Sequence, residues 1–189
     1  MVTARIKTID RLKFLKASLQ DISKLRVYVG VPEDKADDGK HPINEAQLIY
    51  VQTNGSPIHN IPPRPIIEPA IEAPENKAVI SNEIKLGMAA LLDQKKGQAK
   101  AHMRRAGQEG VNAVKNWFDD PRNGWFPLAE STIEARARRK FKVMSRKTFY
   151  GREMMRQNLA YYFNTGDFRI LIDTGEMRKA IIWVMGDEV

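Results

Sequence analysis

The side chains best suited to chemistry in this chain are three histidines, His41, His59 and His102, and two adjacent carboxylate pairs, Asp37-Asp38 and Asp119-Asp120. Histidines and carboxylates that converge can ligate a metal or move protons. Here the histidines are far apart, and no HxxxH or HExxH spacing occurs. Each carboxylate pair stands beside a glycine or a proline, in loops where neighbouring side chains diverge, so both read as turn formers. No Walker loop, GxGxxG or GxSxG is present. Cysteine is absent, which removes disulfides and thiolate metal sites and suits a reducing compartment. With no placed base or nucleophile, the sequence implies no catalytic residue, no metal and no cofactor, and the expectation is a protein that is not an enzyme.

What remains is recognition chemistry. Ile61-Pro62-Pro63-Arg64-Pro65 holds three prolines in five residues. Each proline fixes φ and removes a backbone donor, and each residue ahead of one is pushed toward extended geometry. The stretch is expected to be a stiff arm that presents the Arg64 guanidinium for docking. Charge is the second signal. The whole chain carries +8, yet between Lys95 and Arg156 alone 16 Lys+Arg face 6 Asp+Glu, so the remainder is net acidic. Arg136, Arg138, Arg139, Lys140 and Lys142 are interleaved with Phe141, and further cations and aromatics follow to Phe163. Such a block attracts something acidic, either nucleic acid or an acidic face of a protein. No RRM, KH, zinc-finger or helix-turn-helix signature selects nucleic acid.

These residues must be positioned by a modest scaffold. The 189 residues fit one domain, 1–189, with a basic helical region over about 95–168. A helix over 9–24 is predicted from the stripe Leu12, Leu15, Leu19, Ile22. A strand is predicted over 25–31 and another over 181–185, which could share a sheet. Asn44 begins a short helix stopped at Asn54-Gly55, and Pro65 opens another over 66–72. A long helical stretch runs from Pro74-Glu75 to about 118. Gly87, Gly97, Gly107 and Gly110 each cost it about 1 kcal/mol against alanine, so a break near Gly97 or near 107–110 is as plausible as one rod. Ser131 or Thr132 caps a basic helix over 133–142, Phe168 to Leu171 forms a strand, and Asp173 caps a last short helix with Glu176 in a capping-box arrangement. Trp125 and Trp183 read as core. The fold class is α+β: a small antiparallel sheet flanked by an N-terminal helix and a long, breakable central helix. The N-terminus lacks an apolar signal core, and no stretch approaches the length of a membrane helix.

The motifs fall in a recognisable order. Asn54-Gly55 and Ile61-Pro62-Pro63-Arg64-Pro65 come first, Gly124-Trp125-Phe126-Pro127-Leu128 with Thr132 next, and Leu171-Ile172-Asp173-Thr174-Gly175-Glu176-Met177-Arg178 last. In this order the chain resembles the neck and tail-completion (virion morphogenesis) proteins of Mu-like and lambdoid tailed bacteriophages over about residues 25–185. Pro63 stands where that family has alanine and Ile66 where it has phenylalanine, and 143–168 is longer than the usual link. The resemblance implies a structural virion protein of the head–tail junction, in a neck, tail-completion or tail-terminator role, assembled in the host cytoplasm. It implies a homo-oligomeric ring around the DNA channel, a hexamer rather than a dodecamer, meeting portal or connector proteins on one side and tail tube or terminator proteins on the other. No membrane is involved. Candidate interface residues are Pro62, Pro63, Arg64, Pro65, Trp125, Pro127, Arg136, Arg138, Arg139, Lys140, Asp173, Thr174 and Gly175. The alternative reading is a basic nucleic-acid-binding accessory protein.

Overall fold

Hydrophobic periodicity and proline placement generate most of the elements. The computed structural model describes residues 11–32, 43–141, 153, 156, 157, 160, 170–172 and 175–186. Among them are seven α-helices and two strands, an α+β arrangement. In chain order they are α1 (Arg11–Lys24), β1 (Val27–Gly30), α2 (Glu45–Asn54), α3 (Ile67–Glu72), α4 (Pro74–Leu92), α5 (Lys96–Trp117), α6 (Glu130–Phe141), α7 (Glu176–Ala180) and β2 (Ile182–Met185). No helix among the described residues is long and apolar enough to cross a membrane. The chain divides into two compact units: 1–30, 71–113 and 182–189 form one, and 31–70 with 114–181 form the other.

The first unit is built on α1, α4, most of α5 and the sheet. β1 and β2 pair antiparallel, with Val27 opposite Met185 and Gly30 opposite Ile182. A backbone bond from Gly186 N–H to the Arg26 carbonyl at 2.9 Å extends the ladder. The sheet lies close on α5 because that helix offers glycines to it. A Cβ added at Gly107 would come within 2.7 Å of the Trp183 ring, and one at Gly110 within 2.9 Å of a Val29 methyl. Neither glycine breaks the helix. The break falls at Asp93–Lys95, where Lys95 N–H reaches the Ala90 carbonyl and Gln94 N–H the Leu91 carbonyl. That is a Schellman ending with Gln94 at φ 64° in the place glycine usually takes. Gly97 lies just past it, in the first turn of α5.

The α1 face differs from the expected stripe. Leu19 is 55% exposed, while Ser18 is buried and donates its hydroxyl to the Leu91 carbonyl at 3.4 Å. Ile22 and Leu25 pack beside Ala90, Leu91 and Ala99. Ser18, Ile22 and Leu25 sit at i, i+4 and i+7, so the buried face is rotated by one position relative to Leu19. The side chains of Leu12 and Leu15 lie outside the description. On α5 the stripe Ala99, Met103, Ala106 and Ala113 is buried as its spacing predicts.

The second unit completely buries Ile66, Val114 and Ile181, along with most of Phe118, Trp125 and Met177. Asn44 caps α2 in a full capping box: its side chain accepts from Gln47 N–H, and the Gln47 side chain accepts from the Asn44 N–H. α6 starts at Glu130, so Ser131 and Thr132 lie inside its first turn and neither is the cap. Ile170 and Leu171 form a turn rather than the end of a strand, with Leu171 at φ 62°. The N-cap position of α7 is held by Gly175 at φ 80°, with no side-chain cap bond. Asp173, the expected cap, lies outside the described residues.

Candidate functional site

The proline stretch is not a free arm. Of its five residues only Ile61 and Arg64 keep a backbone N–H, and both are used. Ile61 donates to the Ser56 carbonyl at 2.9 Å, and Arg64 donates to the Gln52 carbonyl at 2.7 Å. The loop between Ser56 and Ile61 closes as a short antiparallel bridge. Gly55 makes the tight return possible. It holds φ 75° with an extended ψ, not the αL terminator geometry anticipated, and a Cβ there would sit 2.8 Å from the Ile61 carbonyl oxygen. Residues 52–64 are therefore strapped to the end of α2.

This strapping turns Arg64 inward. The residue is 6% exposed. Its Nε and Nη2 donate to the Phe126 carbonyl at 3.4 and 3.2 Å, and Nη1 lies 3.5 Å from Gln52 Oε1. An outward guanidinium gripping a neighbour's surface is thus corrected: the alternation of an extended strap sends Pro63 and Pro65 to the exterior and Arg64 to the interior. Burial pushes the Arg64 pKa down, and repulsion from Arg136 adds to the same direction. No carboxylate among the described residues pairs with it.

The second motif closes on the first. The Trp125 indole N–H donates to the Pro65 carbonyl at 3.0 Å, and the ring meets Phe118 edge-on at 5.9 Å. Asn123 and Gly124 prepare this placement. Gly124 takes φ 61° after the short 3-10 turn Pro121–Asn123, which Asp120 caps through Arg122 N–H. The third motif adjoins through Arg136, whose Nη1 donates to the Ile172 carbonyl at 3.3 Å, and through Arg178, which pairs with Asp119 at 3.2 Å.

Together these segments wall a concavity of about 780 Å³. Its cations are Arg64 and Arg136, its polar groups include His59 and Thr132, and its apolar wall includes Phe126 and Leu171. Phe126 is 64% exposed and forms part of the mouth. Of the candidate interface residues, Pro62, Arg64, Pro127 and Arg136 line this space. Pro63 and Pro65 are exposed outside it, and Trp125 is buried behind it. Gly175 lies at the start of α7. Arg138, Arg139 and Lys140 belong to α6, but their side chains, like the whole of Asp173 and Thr174, lie outside the description. Sequence reasoning missed Gln52, His59 and Thr132 as lining residues. Gln52 precedes Asn54-Gly55 by less than a helical turn, and that spacing was the available clue.

No group of three or more His, Asp or Glu side chains that could hold a metal occurs among the described residues. His102 meets Glu83 at 2.8 Å in the first unit, a helix-to-helix pair with Arg105 at 3.7 Å from the same carboxylate. No family model matches the chain, and no curated protein or solved structure matches it.

Proposed function

We propose that the chain is a structural protein of the head–tail junction of a tailed bacteriophage, forming a ring around the DNA channel and joining capsid to tail without catalysis. One observation carries the reading. The sequence motifs that bear the family resemblance, remote from one another along the chain, meet within one compact unit. Arg64 and Pro65 of the first bond to Phe126 and Trp125 of the second, and Leu171 of the third lines the same concavity. The apolar side chains around them favour contact with protein: Ile58 is 89% exposed and Tyr50 69%. A closed ring requires two different faces on each copy, so that one patch meets another across a rotation that closes. The strapped proline segment supplies a rigid face of that kind, since ordering it costs little at the moment of assembly.

The test is a particle assembly assay. Particles produced without the polypeptide should accumulate filled capsids and separate tails, and adding the purified chain should restore joining, with a ring seen at the neck by electron microscopy. Normal joining in its absence overturns the proposal. Native mass spectrometry of the chain with portal, connector and tail components reads the stoichiometry, with a hexamer expected. The assay needs the docking partners, because ring proteins of this type can stay monomeric until they meet them.

A further inference from the structure

We propose that the sheet of the first unit is a docking edge for a second copy of this chain: β2 of one copy adds to the outer edge of β1 of the next, so that the sheet runs on from subunit to subunit. The inference deepens the ring reading and rests on it, since it names the backbone groups by which copies join. The ladder shows which groups point outward. Gly186 N–H bonds to the Arg26 carbonyl, and the register places 26 opposite 186. Hydrogen-bonded and non-bonded pairs alternate in an antiparallel ladder, so Arg26, Tyr28 and Gly30 turn their backbone groups toward β2, while Val27 and Val29 turn theirs away. By the same alternation Trp183 and Met185 present N–H and C=O on the far side of β2. No third strand among the described residues pairs with either edge, and no backbone bond among them reaches these outward groups.

Exposed edges are normally blunted by a charge, a proline or a bulge. Val27-Tyr28-Val29-Gly30 and Ile182-Trp183-Val184-Met185 contain no charge and no proline, and their register runs without a bulge. Apolar, β-branched edges of this kind take up strands. A second copy is the occupant that fits both. The edges are unlike, one on β1 and one on β2, and a strand from elsewhere answers one and leaves the other open. When β2 of one copy adds to β1 of the next, the pair again shows one edge of each kind, and the addition repeats until the rotation closes. One antiparallel register uses every outward group: Val27 against Met185 of the next copy, and Val29 against its Trp183. That is the register of the internal ladder with bonded and non-bonded pairs exchanged. The faces agree as well, since Val29 and Trp183 both lie on the side of the sheet that meets α5.

The chain has no cysteine, so single introduced cysteines read the contact. Tyr28 is 48% exposed, and 28 and 184 lie opposite each other on the face away from α5. In the proposed register 28 meets 184 of the next copy as a non-hydrogen-bonded pair, with Cα atoms about 4.5 Å apart and within disulfide reach. Tyr28→Cys and Val184→Cys chains are mixed under mild oxidation, as purified protein at high concentration and in particles from cells making both. A covalent dimer holding one copy of each variant should form in at least one sample, about tenfold or more above either variant alone. Arg104→Cys, at an exposed site on α5, replaces Tyr28→Cys as control and should give background only. Val27→Pro added to the Tyr28→Cys chain deletes one outward donor and leaves the internal ladder whole, and should lower the yield about fivefold or more. If that variant fails to fold, the mixed cross-link on chains with intact β1 still decides. Absence of the mixed dimer from both samples overturns the inference, as does an equal yield with Arg104→Cys or an undiminished yield in a folded Val27→Pro chain. So does Tyr28→Cys linking to itself as readily, which marks a two-fold pairing of β1 with β1. Particles that join normally without the chain sink the junction reading and leave a mixed dimer of the purified chains standing. Defective joining with no mixed dimer does the reverse.

Discussion

Arg64 shows how a single side chain can be placed by what its neighbours lack. Three prolines leave the strap with two backbone donors, both are spent on α2 and the Ser56 bridge, and the side chain between Pro63 and Pro65 has only the interior to enter. Its aliphatic stem packs there while its charge is incompletely answered, so the two parts contribute with opposite sign. Arg64→Ala loses the packing and the bonds to Phe126 and should cost about 1–3 kcal/mol in urea unfolding. Arg64→Met keeps most of the stem and removes the buried charge, and should cost less than Arg64→Ala. The reverse order of the two midpoints would show that the charge itself stabilises the free chain. Asp120 is a surface case of the opposite kind. Its carboxylate accepts from Arg122 N–H at 2.8 Å and meets the Arg122 guanidinium at 2.6 Å, which holds its pKa down from 3.8 to about 2. The folded pKa is depressed, so the unfolded chain binds more protons in that interval. The stabilisation is present above about pH 4 and is lost as pH falls toward 2. In Asp120→Asn the loss of stability between pH 4 and 2 should be shallower than in the parent, and parallel acid limbs would contradict the assignment.

At the scale of elements, the glycines of α5 decide how near the sheet can come. Ordinary propensity says that alanine improves a helix by about 1 kcal/mol per glycine replaced. Gly107→Ala and Gly110→Ala should instead destabilise by about 1–3 kcal/mol, because the added methyl meets the rigid Trp183 ring and a stiff Val29 side chain. Gly97→Ala, with open space around it, should be neutral or stabilising by up to about 1 kcal/mol. Removing the obstacle tests the cause: in a Trp183→Ala background the cost of Gly107→Ala should largely vanish. Equal melting-temperature shifts in both backgrounds would point to backbone effects instead. The same glycines mark the limit of what sequence alone could supply. Asn44 announces α2, Pro74 announces α4, and the Ala99-to-Ala113 stripe announces the inner face of α5, because each signal is local. The glycines read equally as breaks or as contacts, since nothing local says what lies opposite. The actual break at Gln94 carried no glycine signal, as its left-handed position is filled by a residue that rarely takes it. Ser131 and Thr132 look like caps, but α6 starts one residue earlier at Glu130. The candidate site was legible as a set of motifs and illegible as a geometry: the inward turn of Arg64 depends on Gln52 and Phe126, and neither carries an arginine-binding signature.

At the scale of the molecule, connectivity is the governing fact. Each compact unit draws on separated stretches of chain, and the first takes one strand from near each end. Among the described residues β2 is the sole partner of β1, and a lone strand of four residues has no stability of its own. Closing so long a loop carries an entropic cost that local contacts do not repay until β2 arrives. A chain ending at Ile181 should therefore lose the cooperative unfolding of the first unit while α4 and α5 retain partial helicity by circular dichroism. It should also uncover the α5 surface around Gly107 and Gly110 that Trp183 and Val29 cover, and so bind a hydrophobic dye. A synthetic peptide covering 182–189 should restore the sheet in trans. The rescue has its own reporter, because Trp183 arrives on the peptide and its near-ultraviolet dichroism should appear only when the ring settles over Gly107. A peptide carrying Trp183→Ala in the same register should rescue weakly, since it restores the ladder and leaves the glycine surface uncovered. If the truncated chain melts as sharply as the parent and binds no dye, the first unit is held by its helices alone. The glycines of α5 would then need another explanation.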